Sequence, residues 1–201
     1  MLTEKIIIKF ADVSDLIFVD DVKDAILKAS EEKGTGIAVR SPEYITAKIL
    51  DGKAIMAKTE KGKWAGFCYI ESWGHNRFVA NSGLIVNKDY RGRGLAKAIK
   101  SKAFDLSQNL FPGAKLFGIT TSLAVMKINS ELGYKPVTIS ELTSDEEFWK
   151  GCQTCPYYDI LVRTKRSHCL CTAMLLDPSE KKETMLPISQ KINESFNASK
   201  E

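Results

Sequence analysis

The residues best placed for chemistry are Arg91, Gly92, Arg93, Gly94, Leu95 and Ala96. They follow an apolar piece, Leu84-Ile85-Val86, and a polar turn from Asn87 to Tyr90. After them Leu95, Ala96, Ile99, Ala103, Phe104 and Leu106 recur on one helical face, so the segment reads strand, glycine loop, helix. Glycines let the backbone approach a ligand closely, and the first amides of a helix have no partners of their own. At the positive end of the helix dipole such amides suit a phosphate. Arg91, Arg93, Lys97 and Lys100 add positive charge around that end. The third glycine of a dinucleotide fingerprint is missing, and no Gly-x4-Gly-Lys-Ser/Thr occurs, which excludes a P-loop.

The elements that must hold this loop alternate along the chain. Strands are expected over 5–10, 53–59, 63–73, the run ending at Val86, 115–120, 133–138, 157–164 and 170–175. Helices are expected from Asp12 or Ser14 to about Lys33, after the Ser41-Pro42 start, over 95–109, over 122–132, and over 144–150 with Ser144 as cap. The fold class is mixed α/β: an antiparallel meander, then a parallel crossover through the glycine loop. A domain is expected over 1–165, followed by a cysteine-containing strand and polar tail over 166–201. The tail repeats Ile188, Ile192 and Phe196 every four residues, which fits either a docked amphipathic helix or a frayed end.

Composition narrows the function classes. The 201 residues carry 44% hydrophobic and 27% charged residues and a net charge of +4, ordinary for a globular chain. No long basic run with interleaved aromatics marks a nucleic-acid binder, and no apolar stretch reaches the ~20 residues of a membrane span. The N-terminus lacks the apolar core of a signal peptide; with five cysteines, this points to a reducing cytoplasmic setting.

The pattern Arg91-x-x-Gly94-x-Ala96 resembles the Arg/Gln-x-x-Gly-x-Gly/Ala signature of the GNAT acetyltransferase superfamily. The stretch Ala124 to Tyr134 resembles the family's short helix and Gly-aromatic pair. The resemblance covers roughly residues 4–165 and implies a GNAT-like fold: a mostly antiparallel central sheet, a splayed fourth and fifth strand, and flanking helices. It implies acetyl-CoA as cofactor, with the pantetheine arm between the splayed strands. Leu84, Ile85 and Val86 would lie along the arm, with the Val86 amide facing the thioester oxygen. The amides of Arg91, Gly92, Arg93, Gly94, Leu95 and Ala96 would hold the diphosphate, and Thr121 and Asn129 would also border the cofactor.

A narrower resemblance concerns the acceptor. Gly36 to Ser41 followed by Glu43, and Phe117 to Thr121, are similar to stretches of the acetyltransferase domain of N-acetylglutamate synthases. The amino-acid-kinase-like domain of many such synthases has no counterpart in these residues. An arginine at a helix entrance can fork onto a carboxylate, so Arg40 and Ser41 are the acceptor-binding expectation, against the plainer reading of Arg40 as a surface charge. The partner implied is a small-molecule amine, glutamate first among amino acids; an acyl-CoA sensor without turnover and a protein acetyltransferase are the alternatives. A homodimer is allowed.

Catalysis is where the pattern departs from the family. The resemblance puts the usual glutamate base at Ala80 and the usual thiolate-protonating tyrosine at Asn129, and neither residue can do that work. Asn81 and Ser82 are the expected water-ordering residues. His75 reads as a turn residue, and Glu71 as facing position 79, away from the reaction. Cys152-x2-Cys155 and Cys169-x-Cys171 have zinc-like spacing. The expected hairpin of 157–164 with 170–175 would separate Cys155 from Cys171 by roughly 20 Å, so buried free thiols and no metal are expected.

Overall fold

The computed structural model describes residues 4–32 and 36–180. Seven strands form one sheet: β1 (Ile6–Phe10), β2 (Ala54–Thr59), β3 (Trp64–Trp73), β4 (Phe78–Val86), β5 (Lys115–Thr120), β6 (Lys135–Val137) and β7 (Thr172–Leu176), in the order β1-β2-β3-β4-β5-β7-β6. Every neighbouring pair is antiparallel except β4 with β5.

Helices cover both faces. Asp12 caps a 3₁₀ turn that runs into α1 (Val19–Glu31). Ser41 caps α2 (Pro42–Leu50), its Oγ accepting from the Tyr44 amide at 3.2 Å, with Pro42 at the first helical position. The apolar sides of α1 and α2 (Val22, Ile26, Ile45, Ile49) pack on Met56, Phe67, Tyr69 and Ile85. On the opposite face α3 (Leu95–Leu110) lays Leu95, Ile99, Ala103 and Leu106 against Ile55, Ile70, Val79 and Leu116. Next come α4 (Leu123–Glu131), α5 (Glu146–Lys150) and α6 (Tyr158–Arg163), the last two covering Ala80, Phe117 and Ala173.

Three expectations are corrected. In place of the strand over 157–164, Tyr158–Arg163 form a helix: only Leu161 of α6 is buried, and an alternating strand would have needed a second inward side chain. With that strand gone there is no hairpin, and β7 instead inserts between β5 and β6. The sheet therefore runs through Leu176, with β7 second from its edge. The cap of α5 is Asp145, not Ser144: its carboxylate takes the Glu147 amide at 3.0 Å. The expected tail helix lies outside the described residues.

Two features of β4 shape the site. Its parallel pairing with β5 covers only Phe78–Ala80 against Lys115–Phe117; beyond it, Gly118–Thr120 pair with β7 alone. Asn81 to Val86 and Gly118 to Thr120 thus border a gap in the sheet. The second feature is a bulge, where Gly83 and Leu84 stand against the single residue Cys68. Gly83 takes φ +63°, and a Cβ there would sit 2.4 Å from the Tyr69 ring. Left-handed backbone costs a non-glycine residue about 1–2 kcal/mol, and overpacking adds about 1–3 kcal/mol. Gly83→Ala is therefore expected to lower stability by about 2–5 kcal/mol, read as a drop in the urea midpoint.

Candidate active site

Two hollows meet this part of the sheet. The smaller, about 380 Å³, is lined by Val86, Arg91, Gly92, Gly94, Leu95, Ala96 and residues of α4. Gly92 and Gly94 take φ +75° and +74°, and no side chain caps α3, so the amides opening that helix have no side-chain acceptor. The Arg91 guanidinium turns back to the Val86 carbonyl at 3.1 Å, bracing the loop. Arg93 lies over the Tyr90 ring at 5.7 Å, outside the lining, so its backbone rather than its charge belongs to the loop's role. Lys97 closes one side by pairing with Glu131 of α4 at 2.8 Å.

The larger cavity, about 740 Å³, starts at the β4–β5 gap, with Asn81, Ser82, Gly83 and Leu84 on one side and Gly118 to Thr121 on the other. It continues past Tyr69, Glu71 and Trp73 to Arg40, Ser41 and Tyr44. Among the anticipated residues, Leu84, Ser82, Asn81, Thr121, Arg40 and Ser41 are brought together here, whereas Val86 sits with the glycine loop in the other hollow. Ile85 points away, into the core under α1 and α2. Thr121 Oγ1 takes the Gly36 amide at 3.2 Å, tying the end of β5 to the segment that carries Arg40.

Asn81 does not order water with its side chain. Its Nδ2 donates to Ser107 at 2.7 Å and its Oδ1 accepts from Tyr134 at 2.9 Å, both within the core on the α3 side. Only its backbone carbonyl is offered toward the gap, where Lys100 Nζ meets it at 3.4 Å. Lys100 is thus not part of the charge around the glycine loop. It is 1% exposed, and burial pulls its pKa down to about 8. Asn129 is also buried, with Nδ2 against the Met174 sulfur at 3.6 Å and Oδ1 lacking a partner among the described residues.

Sequence reasoning missed Glu71 through a slip of one residue. The β3–β4 turn holds Gly74 to Arg77, so Trp73 pairs with Phe78 and Glu71 stands directly across from Ala80. Cross-strand partners share a face. A carboxylate therefore sits one strand away from Ala80, on the same face. Tyr44 donates to Glu71 Oε2 and Lys48 pairs with its Oε1. Burial and the Glu71 carboxylate hold the Tyr44 phenol far above the usual range, so it remains a donor.

Arg40 lies at the far end. Its Nε donates to Tyr69 Oη at 2.9 Å, its Nη1 reaches the carbonyls of Val39 and Gly151 at 3.1 and 3.4 Å, and its guanidinium lies 5.3 Å from the Tyr44 ring centroid. Burial disfavours its charge, but the surrounding Tyr69, Tyr44 and Glu71 oxygens outweigh that and its pKa is raised. No carboxylate of the described residues forms a salt bridge with it.

Cys152, Cys155, Cys169 and Cys171 line one wall of the same cavity. Burial pushes the Cys152 thiol up to about 11, and burial with the neighbouring Cys169 and Cys155 pushes Cys171 higher still. These two are neutral thiols near pH 7, not nucleophilic thiolates. Among the described residues no group of three or more His, Cys, Asp or Glu side chains is placed to hold a metal ion.

A gap between the parallel strands β4 and β5, a glycine loop at the start of α3 and a bulge in β4 together frame the two hollows. The model of the acetyltransferase (GNAT) family matches residues 25–125, and the chain belongs to that family. The family is one of acetyltransferases, so the chain is an acyltransferase. No curated protein sequence matches the chain. Among solved structures it is similar to N-acetylglutamate synthase from Neisseria gonorrhoeae complexed with coenzyme A and N-acetyl-glutamate, with TM-score 0.62, 15% identity, and coverage of 86% of this chain but 35% of that one. It thus spans about a third of that synthase. Diaminobutyrate acetyltransferase EctA from Paenibacillus lautus, in complex with L-2,4-diaminobutyric acid and coenzyme A, gives TM-score 0.58 and 12% identity, covering 87% and 96% of the two chains. A phosphinothricin acetyltransferase from Sinorhizobium meliloti with acetyl-CoA gives TM-score 0.58 and 14% identity, covering 90% and 93%.

Proposed function

We propose that this acyltransferase moves the acetyl group of acetyl-CoA onto the amine of a small amino acid, with glutamate the first candidate. The observation that carries the reading is the larger cavity, which begins at the β4–β5 gap and is lined by the Arg40 guanidinium, with no carboxylate partner among the described residues, and by Glu71. An amino acid offers the complementary groups: a carboxylate for Arg40 and an ammonium for Glu71. N-acetyl-glutamate and L-2,4-diaminobutyric acid, bound in two of the structurally similar proteins, are an acetylated amino acid and an amino acid.

The loop fits a diphosphate. Its two left-handed glycines leave room for close approach, and the uncapped amides of α3 are donors for anionic oxygens. The unpaired β4 and β5 edges fit the amides of a pantetheine arm. Gly94→Ala fills open space, so its whole effect is backbone strain. A cost of about 1–2 kcal/mol corresponds to coenzyme A binding weaker by about 5- to 30-fold in calorimetry.

Transfer needs the amine uncharged and held against the thioester. Glu71 accepts the ammonium proton, Tyr44 and Lys48 fix its orientation, and Arg40 holds the other end of the acceptor. A carboxylate one strand away from Ala80 favours turnover over a sensor that only binds. Free cysteines suit a reducing cytosol, where we place the activity. The test is an acceptor screen with acetyl-CoA scored by free thiol. Amines bearing a carboxylate are expected to give the highest kcat/KM; thiol release only with peptides, or with no amine at all, contradicts the reading.

A further inference from the structure

Among the described residues, Lys100 is the one buried cation whose position the reaction above leaves unused. It projects from the sheet-facing side of α3, between Ile99 and Ala103, and reaches the place where β4 and β5 part. Its Nζ meets the Asn81 carbonyl at 3.4 Å and lines the larger cavity. A Cβ built on Gly118, across the gap, would lie 4.0 Å from Lys100 Nζ and 3.8 Å from Asn129 Nδ2. Lys100 and Asn129 therefore converge on one spot at β5, and no side chain at position 118 screens it. The groups facing the amine are few. Cys68 comes from β3, and the Tyr134 ring centroid lies 5.6 Å away. Burial pushes the Cys68 thiol up to about 11 and the Tyr134 phenol far above its usual range, so neither is an anion near pH 7. Lys100 forms no salt bridge among the described residues. A buried ammonium without a counter-ion costs stability.

Resting on the acetyl-transfer reading, we infer that Lys100 is the catalytic acid that protonates the thiolate leaving acetyl-CoA, the step Asn129 cannot perform. The C–N bond to the acceptor forms, its nitrogen releases the second proton to water, and the C–S bond breaks, its electron pair remaining on sulfur. An N–H proton of Lys100 then passes to that sulfur, and the neutral amine left behind regains a proton from water. An ordinary thiol has a pKa near ~8.5, so an ammonium drawn down to about 8 is well matched to it. The protonated form is the working one, so kcat should fall as pH rises through about 8.

The test compares wild type with Lys100→Met and Lys100→Arg, by thiol release at saturating substrates from about pH 6 to 10 (about two units either side of the lysine's value). Met should lower kcat by about 100-fold and Arg by nearly as much, because a guanidinium is charged but is no proton donor in this range. Both variants should lose the fall on the basic side. Calorimetric affinity for coenzyme A and the thermal midpoint serve as fold controls, and removing a lone buried charge should not lower that midpoint. An Arg variant with wild-type kcat would overturn the proposal in favour of charge alone. A Met variant with wild-type kcat, or a wild-type kcat flat to pH 10, would overturn it outright. Those outcomes leave acetyl transfer standing; a wild type that releases no thiol takes both readings down.

Discussion

Glu71→Gln is expected to lower kcat by about 10²- to 10⁴-fold while leaving coenzyme A binding unchanged. The argument is one of register. Trp73 pairs with Phe78, so Glu71 meets Ala80 across the ladder, and both face the larger cavity. Glutamine keeps the length and a hydrogen-bond acceptor for Tyr44, but it cannot receive a proton from the acceptor ammonium. It also leaves Lys48 without its carboxylate, so some loss of stability accompanies the substitution. A rate loss with an unchanged calorimetric constant for coenzyme A separates lost chemistry from lost folding. A variant that keeps most of its kcat would show that the proton leaves by another route.

The second large effect belongs to Arg40. Arg40→Met should raise the acceptor KM by about 10- to 100-fold, in line with about 1.5–3 kcal/mol for a hydrogen bond to a charged group, with the KM for acetyl-CoA unaltered. Methionine retains much of the stem packing against Tyr44 while removing the fork that meets a carboxylate. The paired control is an acceptor amine lacking the carboxylate. Its KM should be high and equal in both proteins, because Arg40 has nothing to grip. If Met raises both alike, Arg40 shapes the cavity through Tyr69 and Gly151 rather than reading the substrate.

The glycine loop was legible because its chemistry is local. Two left-handed glycines, an apolar strand before them and a helical period after them are all written within a few residues. The Ser41-Pro42 start and the Asp12 cap were legible for the same reason. What could not be read depended on counting across a turn. A β3–β4 turn longer by one residue moved Glu71 from the face of Val79 to that of Ala80, and with it the reading of the missing base. Tyr157 to Thr164 misled because a short apolar run does not separate strand from helix, and a terminal strand was then paired with the wrong neighbour. Lys100 carried a signal that was passed over. It sits next to Ile99 and three residues before Ala103, on the apolar face of α3, where a surface lysine does not belong.

The most direct measurement is a crystal structure with coenzyme A bound. The diphosphate is expected on the amides from Gly92 to Ala96, and the arm between Asn81–Leu84 and Gly118–Thr120, with its sulfur beside Lys100 and Asn129. A cofactor bound elsewhere on the surface, with the strands closed against each other, would contradict the account at its root.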